Sequence, residues 1–344
     1  MNAADRLRSE ADTRILVKDG AYGTAIQARR LGEADYRGAF DLARDQKGNN
    51  DLLCLTRPEL IAEVCAEYCG AGAVVLGTNS FNANRISQAD YGAEHLVPEI
   101  NVAAARIIRE VADRFTAGDG RPRFVAGALG PTNKTLSLSP DVNDPGYREV
   151  DFDFVSGVYA EQAAALLDGG ADFILIETVF DTLNAKAAIH GVRSVGRDIP
   201  IMLSMTLTDL SGRNLSGHSI EAFWASVRHA RPLSIGLNCS FGAEQLRSHV
   251  ATLSGLADTL LMAYPNAGLP NELGEYDEDA TTTAAYIREW AERGQLNIVG
   301  GCCGTTPAHI RAIADAVAGL APRKIAAKPV LTQLAGLDPM ILAA

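Results

Sequence analysis

The sequence lacks the features that mark membrane, secreted and dinucleotide-binding proteins. No stretch approaches the roughly 20 consecutive apolar residues that a membrane-spanning helix needs. Residues 1–14 alternate acidic and basic side chains and contain no apolar segment of a secretory signal peptide. No GxGxxG motif follows the first predicted strand, which disfavours a dinucleotide-binding sheet. We therefore expect a cytoplasmic protein that does not act at a membrane.

Positive charge and cysteine are also scarce. Lys and Arg number 31 against 42 Asp and Glu, and the net charge of -11 would repel phosphate backbones and anionic lipid surfaces. We therefore expect no nucleic-acid partner. The six cysteines are not expected to form disulfides, because cytoplasmic thiols stay reduced and clustered cysteines there more often serve metals or catalysis. The six histidines show no ligand spacing.

Short apolar runs, in contrast, are abundant. With 47% hydrophobic residues and 32 glycines, the chain can bury a sizeable core. Eight apolar runs, mostly continuous, predict strands that are covered on both faces, and each precedes a segment with helical periodicity. The predicted strands are 15–19, 73–78, 124–128, 173–177, 201–206, 235–239, 260–264 and 298–301. The predicted helices are 58–69, 98–115, 155–167, 183–195, 220–229, 243–256, 282–293 and 307–320.

Eight strand–helix repeats predict an α/β fold of the (β/α)8 TIM-barrel type rather than an open sheet. We assign the barrel to residues 1–322 and a linker or tail to residues 323–344, which contain lysines and prolines but no further repeat. The segments 31–56 and 130–151 are longer than a minimal repeat needs. The second follows the third strand, on the face where barrel enzymes hold their active sites.

Three cysteines at two strand ends are the strongest candidates for chemistry. Cys239 ends the sixth predicted strand, and Cys302 and Cys303 follow the eighth. The strands of a barrel meet at one mouth, so the three thiols can face one point. Three protein ligands with a fourth position open are typical of a catalytic zinc site. Adjacent cysteines on a regular strand point to opposite faces, so a shared metal requires irregular backbone, which the neighbouring glycines permit.

Other interpretations of these cysteines remain open from spacing alone. The three side chains would also suit small buried positions, and the glycine run before the eighth helix would also suit a phosphate-binding turn. Cys54, Cys65 and Cys69 are a separate group. They lie in apolar surroundings, and we predict that they belong to the core.

Carboxylates at strand ends form a second cluster of candidates. Asp19 ends the first predicted strand and Glu177 ends the fourth. Since a buried carboxylate needs a partner, the two acids could hold a substrate ammonium while the backbone amides after Asp19 take its carboxylate. Each acid could equally cap the following turn or helix. Thr78, Asn79 and Asn238 add hydrogen-bonding groups at further strand ends, where single asparagines are often turn residues.

Several motifs around these residues resemble the homocysteine-binding module of cobalamin-dependent methionine synthase, within the wider homocysteine S-methyltransferase family. The resemblance covers residues 14–339. Its motifs are Asp-Gly-Ala-Tyr-Gly-Thr at 19–24, Gly-Asn-Asn-Asp-Leu-Leu at 48–53, Leu-Gly-Pro-Thr-Asn-Lys-Thr at 129–135, Ser-Pro-Asp-Val-Asn-Asp-Pro at 139–145, Ile-Glu-Thr-Val-Phe-Asp-Thr-Leu-Asn-Ala-Lys-Ala-Ala at 176–188, Pro-Asn-Ala-Gly-Leu-Pro-Asn at 265–271 and Asn-Ile-Val-Gly-Gly-Cys-Cys-Gly-Thr-Thr-Pro at 297–307.

The resemblance implies roles for individual residues. The family's three zinc thiolates correspond to Cys239, Cys302 and Cys303, and the acids that bind the homocysteine amino group correspond to Asp19 and Glu177. Gly20, Ala21, Thr78 and Asn79 are implied to line the amino-acid pocket, with Asn238 beside it. One departure is Gly77, where the resemblance would place a glutamate.

The implied activity is zinc-dependent transfer of a methyl group to the thiol of L-homocysteine, which gives L-methionine. The implied methyl donor is methylcobalamin, carried by a separate module or subunit, with a folate-binding module as a further partner. An alternative is a stand-alone methyltransferase that uses betaine or S-methylmethionine. A second alternative is a non-catalytic barrel that binds zinc or an amino acid in a regulatory role.

Overall fold

Eight parallel strands form a barrel in which strand and helix alternate, as predicted for a (β/α)8 fold. The computed structural model of the protein describes residues 1–195, 198–329 and 331–342. Neighbouring strands pair in the order β1-β8-β7-β6-β5-β4-β3-β2. The strands are β1 Leu16–Val17, β2 Val75–Gly77, β3 Phe124–Leu129, β4 Phe173–Val179, β5 Ile201–Met205, β6 Ser234–Gly242, β7 Leu260–Asn266 and β8 Ile298–Val299.

The two ends of this sheet meet through short contacts between β1 and β2. Lys18 forms an isolated parallel bridge with Val75. The backbone N–H of Val74 donates to the carbonyl of Val17 over 2.7 Å, and that of Asp19 donates to the carbonyl of Val75 over 3.0 Å. The sheet therefore closes, and the carboxyl ends of all eight strands surround one mouth.

Each of the eight predicted barrel helices is present, with bounds that differ from the predictions by a few residues. They are α5 Pro58–Ala71, α7 Val97–Asp119, α8 Phe152–Asp168, α9 Thr182–Ser194, α10 Ile220–Val227, α11 Ala243–Leu256, α12 Ala280–Glu292 and α13 Pro307–Val317. Shorter helices precede or interrupt the repeats: α1 Ala3–Thr13, α2 Tyr22–Ala28, α3 Glu33–Arg37, α4 Leu53–Thr56 and α6 Arg85–Gln88. Within the described residues, no helix combines the length and apolar character needed to cross a bilayer.

Strand residues alternate between the barrel interior and the helical layer. Leu16, Leu175 and Met262 belong to an interior cluster, whereas Val17 and Ile174 pack among the helices. This alternation turns every second residue of a strand inward. It therefore fixes which polar side chains at the strand ends face the interior.

The first helix, α1, covers the amino-terminal end of the barrel. Ala4, Leu7 and Ala11 are buried and join the interior cluster. This helix was not predicted, because its other side chains are mostly charged or polar and few of its residues are apolar. Three small or apolar residues at helical spacing are enough to seal this end.

The C-terminal segment after Pro322 contacts the barrel. Buried Arg323 donates to the carbonyl of Ser254 over 2.9 Å and to that of Thr259 over 2.9 Å. Further along, β9 Thr332–Ala335 and β10 Pro339–Leu342 pair as an antiparallel hairpin that packs on α10. Arg213, in the loop after β5, forms a salt bridge of 2.9 Å with Asp338 of this hairpin.

Candidate functional site

Cys239, Cys302 and Cys303 converge at the mouth of the barrel. Cys239 lies in the irregular end of β6, and Cys302 and Cys303 follow β8. The sulfur atoms of Cys239 and Cys303 are 3.8 Å apart, and all three sulfurs lie within 4.8 Å of one another. The spacing along the sequence thus becomes a compact cluster of three thiols.

Left-handed backbone conformations bring these sulfurs together. Cys239 and Ser240 have φ angles of 60° and 61°, which are uncommon for residues with a side chain. They coincide with a shift in the pairing of β6 with β7 between Asn238 and Gly242. Strained conformations of this kind are maintained where the surrounding structure imposes them, and they cluster at functional sites.

A second irregular turn carries the other two cysteines. Gly304 has a φ of 78°, and a Cβ at this position would lie 2.3 Å from the Cβ of Tyr276. Only glycine fits both the conformation and the space. Tyr276 is thereby packed beside Cys303, in the loop between β7 and α12.

The three thiols suit a zinc ion. Two sulfurs that each lie about 2.3 Å from a tetrahedral zinc are separated by roughly 3.8 Å, which matches the distance between Cys239 and Cys303. The hydrogen bond from Cys239 lowers the pKa of the Cys303 thiol, whereas the hydrogen bond with Cys239 and burial raise the pKa of Cys302. The cluster by itself therefore favours one thiolate, and a cation is needed to hold all three thiols deprotonated.

A cavity of about 690 Å³ opens above these sulfurs. Its wall combines the cysteine cluster with acids, a lysine, three tyrosines and the turn after β1. The lining residues include Lys18, Asp19, Gly20, Ala21, Asp51, Gly77, Thr78, Asn79, Glu177, Cys239, Tyr264, Tyr276, Cys302 and Cys303. Both predicted clusters, thiols and carboxylates, therefore share one cavity.

The two acids occupy different environments. Asp19 accepts from the Lys18 ammonium over 2.7 Å and from the backbone N–H of Gly77 over 2.7 Å. Glu177 accepts from the Tyr264 hydroxyl over 2.9 Å. Burial raises the pKa of both carboxyl groups, and the nearby Lys18 ammonium opposes that effect. For Lys18, burial alone would lower the pKa, but Asp19 and Glu177 outweigh it and raise the pKa above its usual value.

The turn after Asp19 is shaped by the ring of Tyr68. A Cβ at position 20 would lie 2.7 Å from Cε1 of that ring, so Gly20 lets the backbone approach it. The Tyr68 hydroxyl donates to the carbonyl of Ala21 over 3.0 Å. Gly20 and Ala21 therefore face the cavity from a fixed position.

The amide and hydroxyl side chains predicted at the site mainly hold neighbouring backbone. The hydroxyl groups of Thr78 and Ser80 are hydrogen-bonded to each other over 2.6 Å. The side-chain amide of Asn79 donates to the carbonyl of Asn50 over 2.7 Å. Asn238 lies behind the cavity wall, where its side-chain oxygen accepts from the backbone N–H of Thr178 over 3.1 Å. Thr78 and Asn79 thus line the cavity while they hold its backbone, and Asn238 supports the site from behind.

Among the cavity residues that were not predicted from the sequence are Lys18, Asp51, Tyr264 and Tyr276. A signal existed for Lys18 and Tyr264, because they follow inward-facing Leu16 and Met262 at a spacing of two. Tyr276 lies in a loop and Asp51 in a short 3-10 turn, where no such periodicity applies. Cys54, Cys65 and Cys69 are buried in the core, as predicted.

Comparison with known proteins agrees with this architecture. Two forms of the homocysteine methyltransferase MmuM from Escherichia coli share the fold. The oxidised form aligns with a TM-score of 0.73 at 24% identity, over 91% of this chain and 99% of that one. The metallated form aligns with a TM-score of 0.71 at 25% identity, over 90% and 99%. The family profile described as homocysteine S-methyltransferase matches residues 16–317, which include both clusters of the cavity. The chain is therefore a methyltransferase that belongs to the homocysteine S-methyltransferase family.

Proposed function

We propose that this chain transfers a methyl group to the thiol of L-homocysteine and releases L-methionine, with zinc as its metal. One observation carries the proposal. Three thiols lie within 4.8 Å of one another in a cavity that also contains Asp19 and Glu177. A thiophilic metal site beside groups that suit an amino acid matches a substrate with a thiol at one end and a zwitterion at the other.

Cys239, Cys302 and Cys303 would hold the zinc and leave a fourth position toward the cavity. A bound zinc lowers the pKa of a substrate thiol from its usual value near ~8.5, so that sulfur is presented as a nucleophile at neutral pH. The cysteines contribute their geometry: the left-handed turn at Cys239 and the glycine turn after Cys303 fix the three sulfurs before substrate arrives. Such preorganisation lowers the free-energy cost of assembling the reacting groups.

The polar end of homocysteine would lie against the strand ends of β1, β2 and β4. Glu177 would offer a carboxylate to the ammonium, and Gly20 and Ala21 line the same cavity. Thr78, Asn79 and Asn238 hold the surrounding backbone. Anchoring of this end orients the sulfur toward the methyl donor.

We further propose that the methyl donor is methylcobalamin on a separate module or subunit, which works beside a folate-binding module. Exposed apolar side chains in the loops after β3, β5 and β7 support a protein partner at the mouth, because large exposed apolar residues concentrated on one face mark interaction surfaces. Those side chains are Leu138, Val142, Tyr147, Leu210, Leu215, Leu269 and Leu273, of which Val142 and Leu273 are 93% and 83% exposed. We also propose that the protein is located in the cytoplasm.

A small cationic donor such as betaine or S-methylmethionine is the alternative. Asp51 favours it, since this buried carboxylate lines the cavity and forms no salt bridge within the described residues. A carboxylate without a protein cation nearby would suit an onium group. Methylcobalamin would require a partner protein that carries it, whereas a small cationic donor would not.

The experiment measures methionine formation by purified zinc-loaded protein with methylcobalamin, betaine and S-methylmethionine in parallel. Turnover with methylcobalamin, accelerated by a cobalamin-binding protein, is the expected result. Steady turnover with betaine or S-methylmethionine alone would replace the proposed donor. Binding of homocysteine without transfer from any of the three would contradict the enzymatic role.

A further inference from the structure

Lys18 is the only cationic side chain among the described residues that line the cavity. It follows Leu16 at the inward-facing spacing, so its side chain rises inside the barrel toward the mouth. Its stem packs on Gly300, where a Cβ would lie 2.8 Å from the Cβ of Lys18. Its ammonium lies 2.7 Å from Oδ1 of Asp19 and 4.7 Å from the centre of the Tyr264 ring. Burial of an ammonium is costly unless it is paired, and Asp19 supplies the pairing carboxylate.

Both carboxylate oxygens of Asp19 accept hydrogen bonds from other groups of the protein. Oδ1 accepts from Lys18 and Oδ2 accepts from the backbone N–H of Gly77, each over 2.7 Å. Its side chain is 1% exposed, compared with 7% for Lys18. A Cβ at Gly77 would lie at ordinary contact distance from the ion pair, 3.6 Å from Oδ2 and 3.7 Å from the Lys18 nitrogen. Position 77 therefore directly adjoins the ion pair.

Glu177 faces the cavity with more freedom. Its carboxylate accepts one hydrogen bond, from the Tyr264 hydroxyl to Oε2, and the residue is partly exposed. An ionised carboxylate has about four acceptor positions, so Glu177 retains acceptor capacity toward a ligand. Tyr264 contacts both charged groups, since its ring faces the Lys18 ammonium and its hydroxyl bonds Glu177.

We propose that Lys18 is a positioning residue that neutralises Asp19, and that Glu177 alone binds the ammonium of the substrate. This assignment rests on the proposed function and gives Lys18, Asp19 and Glu177 different roles in its amino-acid site. The charges then balance locally: Lys18 with Asp19, and the substrate ammonium with Glu177. Two free carboxylates would instead place surplus negative charge beside thiolates that are already anionic.

The test compares binding of homocysteine and 3-mercaptopropionate, a thiol acid without the amino group, to zinc-loaded variants by calorimetry. Asp19→Asn leaves the Lys18 charge unpaired next to the substrate ammonium. We expect it to weaken homocysteine binding by at least about tenfold relative to 3-mercaptopropionate, because like charges repel in a partly desolvated site. In Lys18→Met/Asp19→Asn both charges are gone, and the affinities for homocysteine and for 3-mercaptopropionate should each return to within about threefold of wild type.

Each other outcome overturns the assignment. If the double variant keeps the loss of preference seen in Asp19→Asn, Asp19 itself binds the ammonium. If the double variant loses affinity for both thiols equally, Lys18 binds the carboxylate that they share. Lys18→Gln/Asp19→Asn, which retains a hydrogen-bonded pair of amides, provides a second neutral version, and circular dichroism with zinc analysis confirms folding. Failure of the wild-type protein to bind homocysteine would refute the proposed function, and that result is obtained before any variant is compared.

Discussion

The sulfur atoms of Cys239 and Cys303 lie 3.8 Å apart, although 64 positions separate the two residues in the chain. Two strand ends of the barrel and two left-handed turns bring them together. The scaffold that holds the sulfurs is packed independently of any metal, because the interior and helical-layer clusters account for the core. Metal loss and unfolding should therefore be separable events.

Replacement of any one of the three cysteines should remove the metal and spare the fold. We expect about one zinc per wild-type chain and little in Cys239→Ala, Cys302→Ala or Cys303→Ala, since two thiolates form too weak a site. Cys69→Ala is the matched control, because this cysteine is buried in the core away from the cluster. Elemental analysis and circular dichroism provide the readouts. Full zinc occupancy in all three variants would place the ligands elsewhere.

Homocysteine should change the metal environment directly. We expect binding to release a proton from the thiol and to add a sulfur to the zinc shell at the expense of an oxygen or nitrogen ligand. X-ray absorption with and without substrate measures the shell, and calorimetry in buffers of different ionisation enthalpy measures the proton. A zinc shell that stays the same at saturating homocysteine would rule out direct activation of the thiol.

Glu177→Gln should affect recognition of the amino group without affecting the metal. A charged hydrogen bond in a desolvated site contributes roughly 1.5–3 kcal/mol, so homocysteine affinity should fall by about ten- to a hundredfold. Affinity for 3-mercaptopropionate and zinc content should stay the same. Glu161→Gln, on the outer helix α8 and paired with Arg85, is the control. Equal losses for both thiols would mean that Glu177 only supports the shape of the pocket.

Asp51 should make stability depend on pH. Burial raises the pKa of this carboxyl from 3.8 to about 7, so the folded protein keeps a proton there that the unfolded chain releases. The stabilisation is complete below about pH 4 and is lost as pH rises through about 7, and the difference corresponds to roughly 4 kcal/mol at most. Asp51→Asn should remove this loss. Urea unfolding at pH 5 and pH 8 measures the part of this loss in the free energy of unfolding that occurs between those two pH values. Exposed Asp141→Asn is the control. A wild-type difference that persists in Asp51→Asn would assign it to other groups.

Much of this architecture could be predicted because it depends on local patterns. Continuous apolar runs followed by helical periodicity predict every barrel strand and helix, and convergence of strand ends predicts that Cys239 meets Cys302 and Cys303. Helix α1 escaped prediction because only three of its residues are buried. The left-handed conformation of Cys239 also has no local signal, since no glycine marks that position.

The pairing of Asp19 with Lys18 shows a different limit of sequence reasoning. The two residues are adjacent, yet their contact depends on Gly300, which follows β8 and leaves space for the lysine stem, and on the backbone N–H of Gly77 in β2, which donates to Asp19. Asn238 illustrates the same point, because its position at a strand end did not reveal that it lies behind the cavity wall. Residue type and position at a strand end predict proximity to a site, whereas the orientation of each side chain follows from its packing.

Among the described residues, helix α1 and the packed interior close the amino-terminal end of the barrel, and the cavity lies at the opposite mouth. Substrate, donor and product would then pass through the same mouth of the barrel in turn. A donor large enough to cover the mouth would trap homocysteine beneath it, and methionine could depart only after that donor had withdrawn. With such a donor, homocysteine would enter first and methionine would leave last.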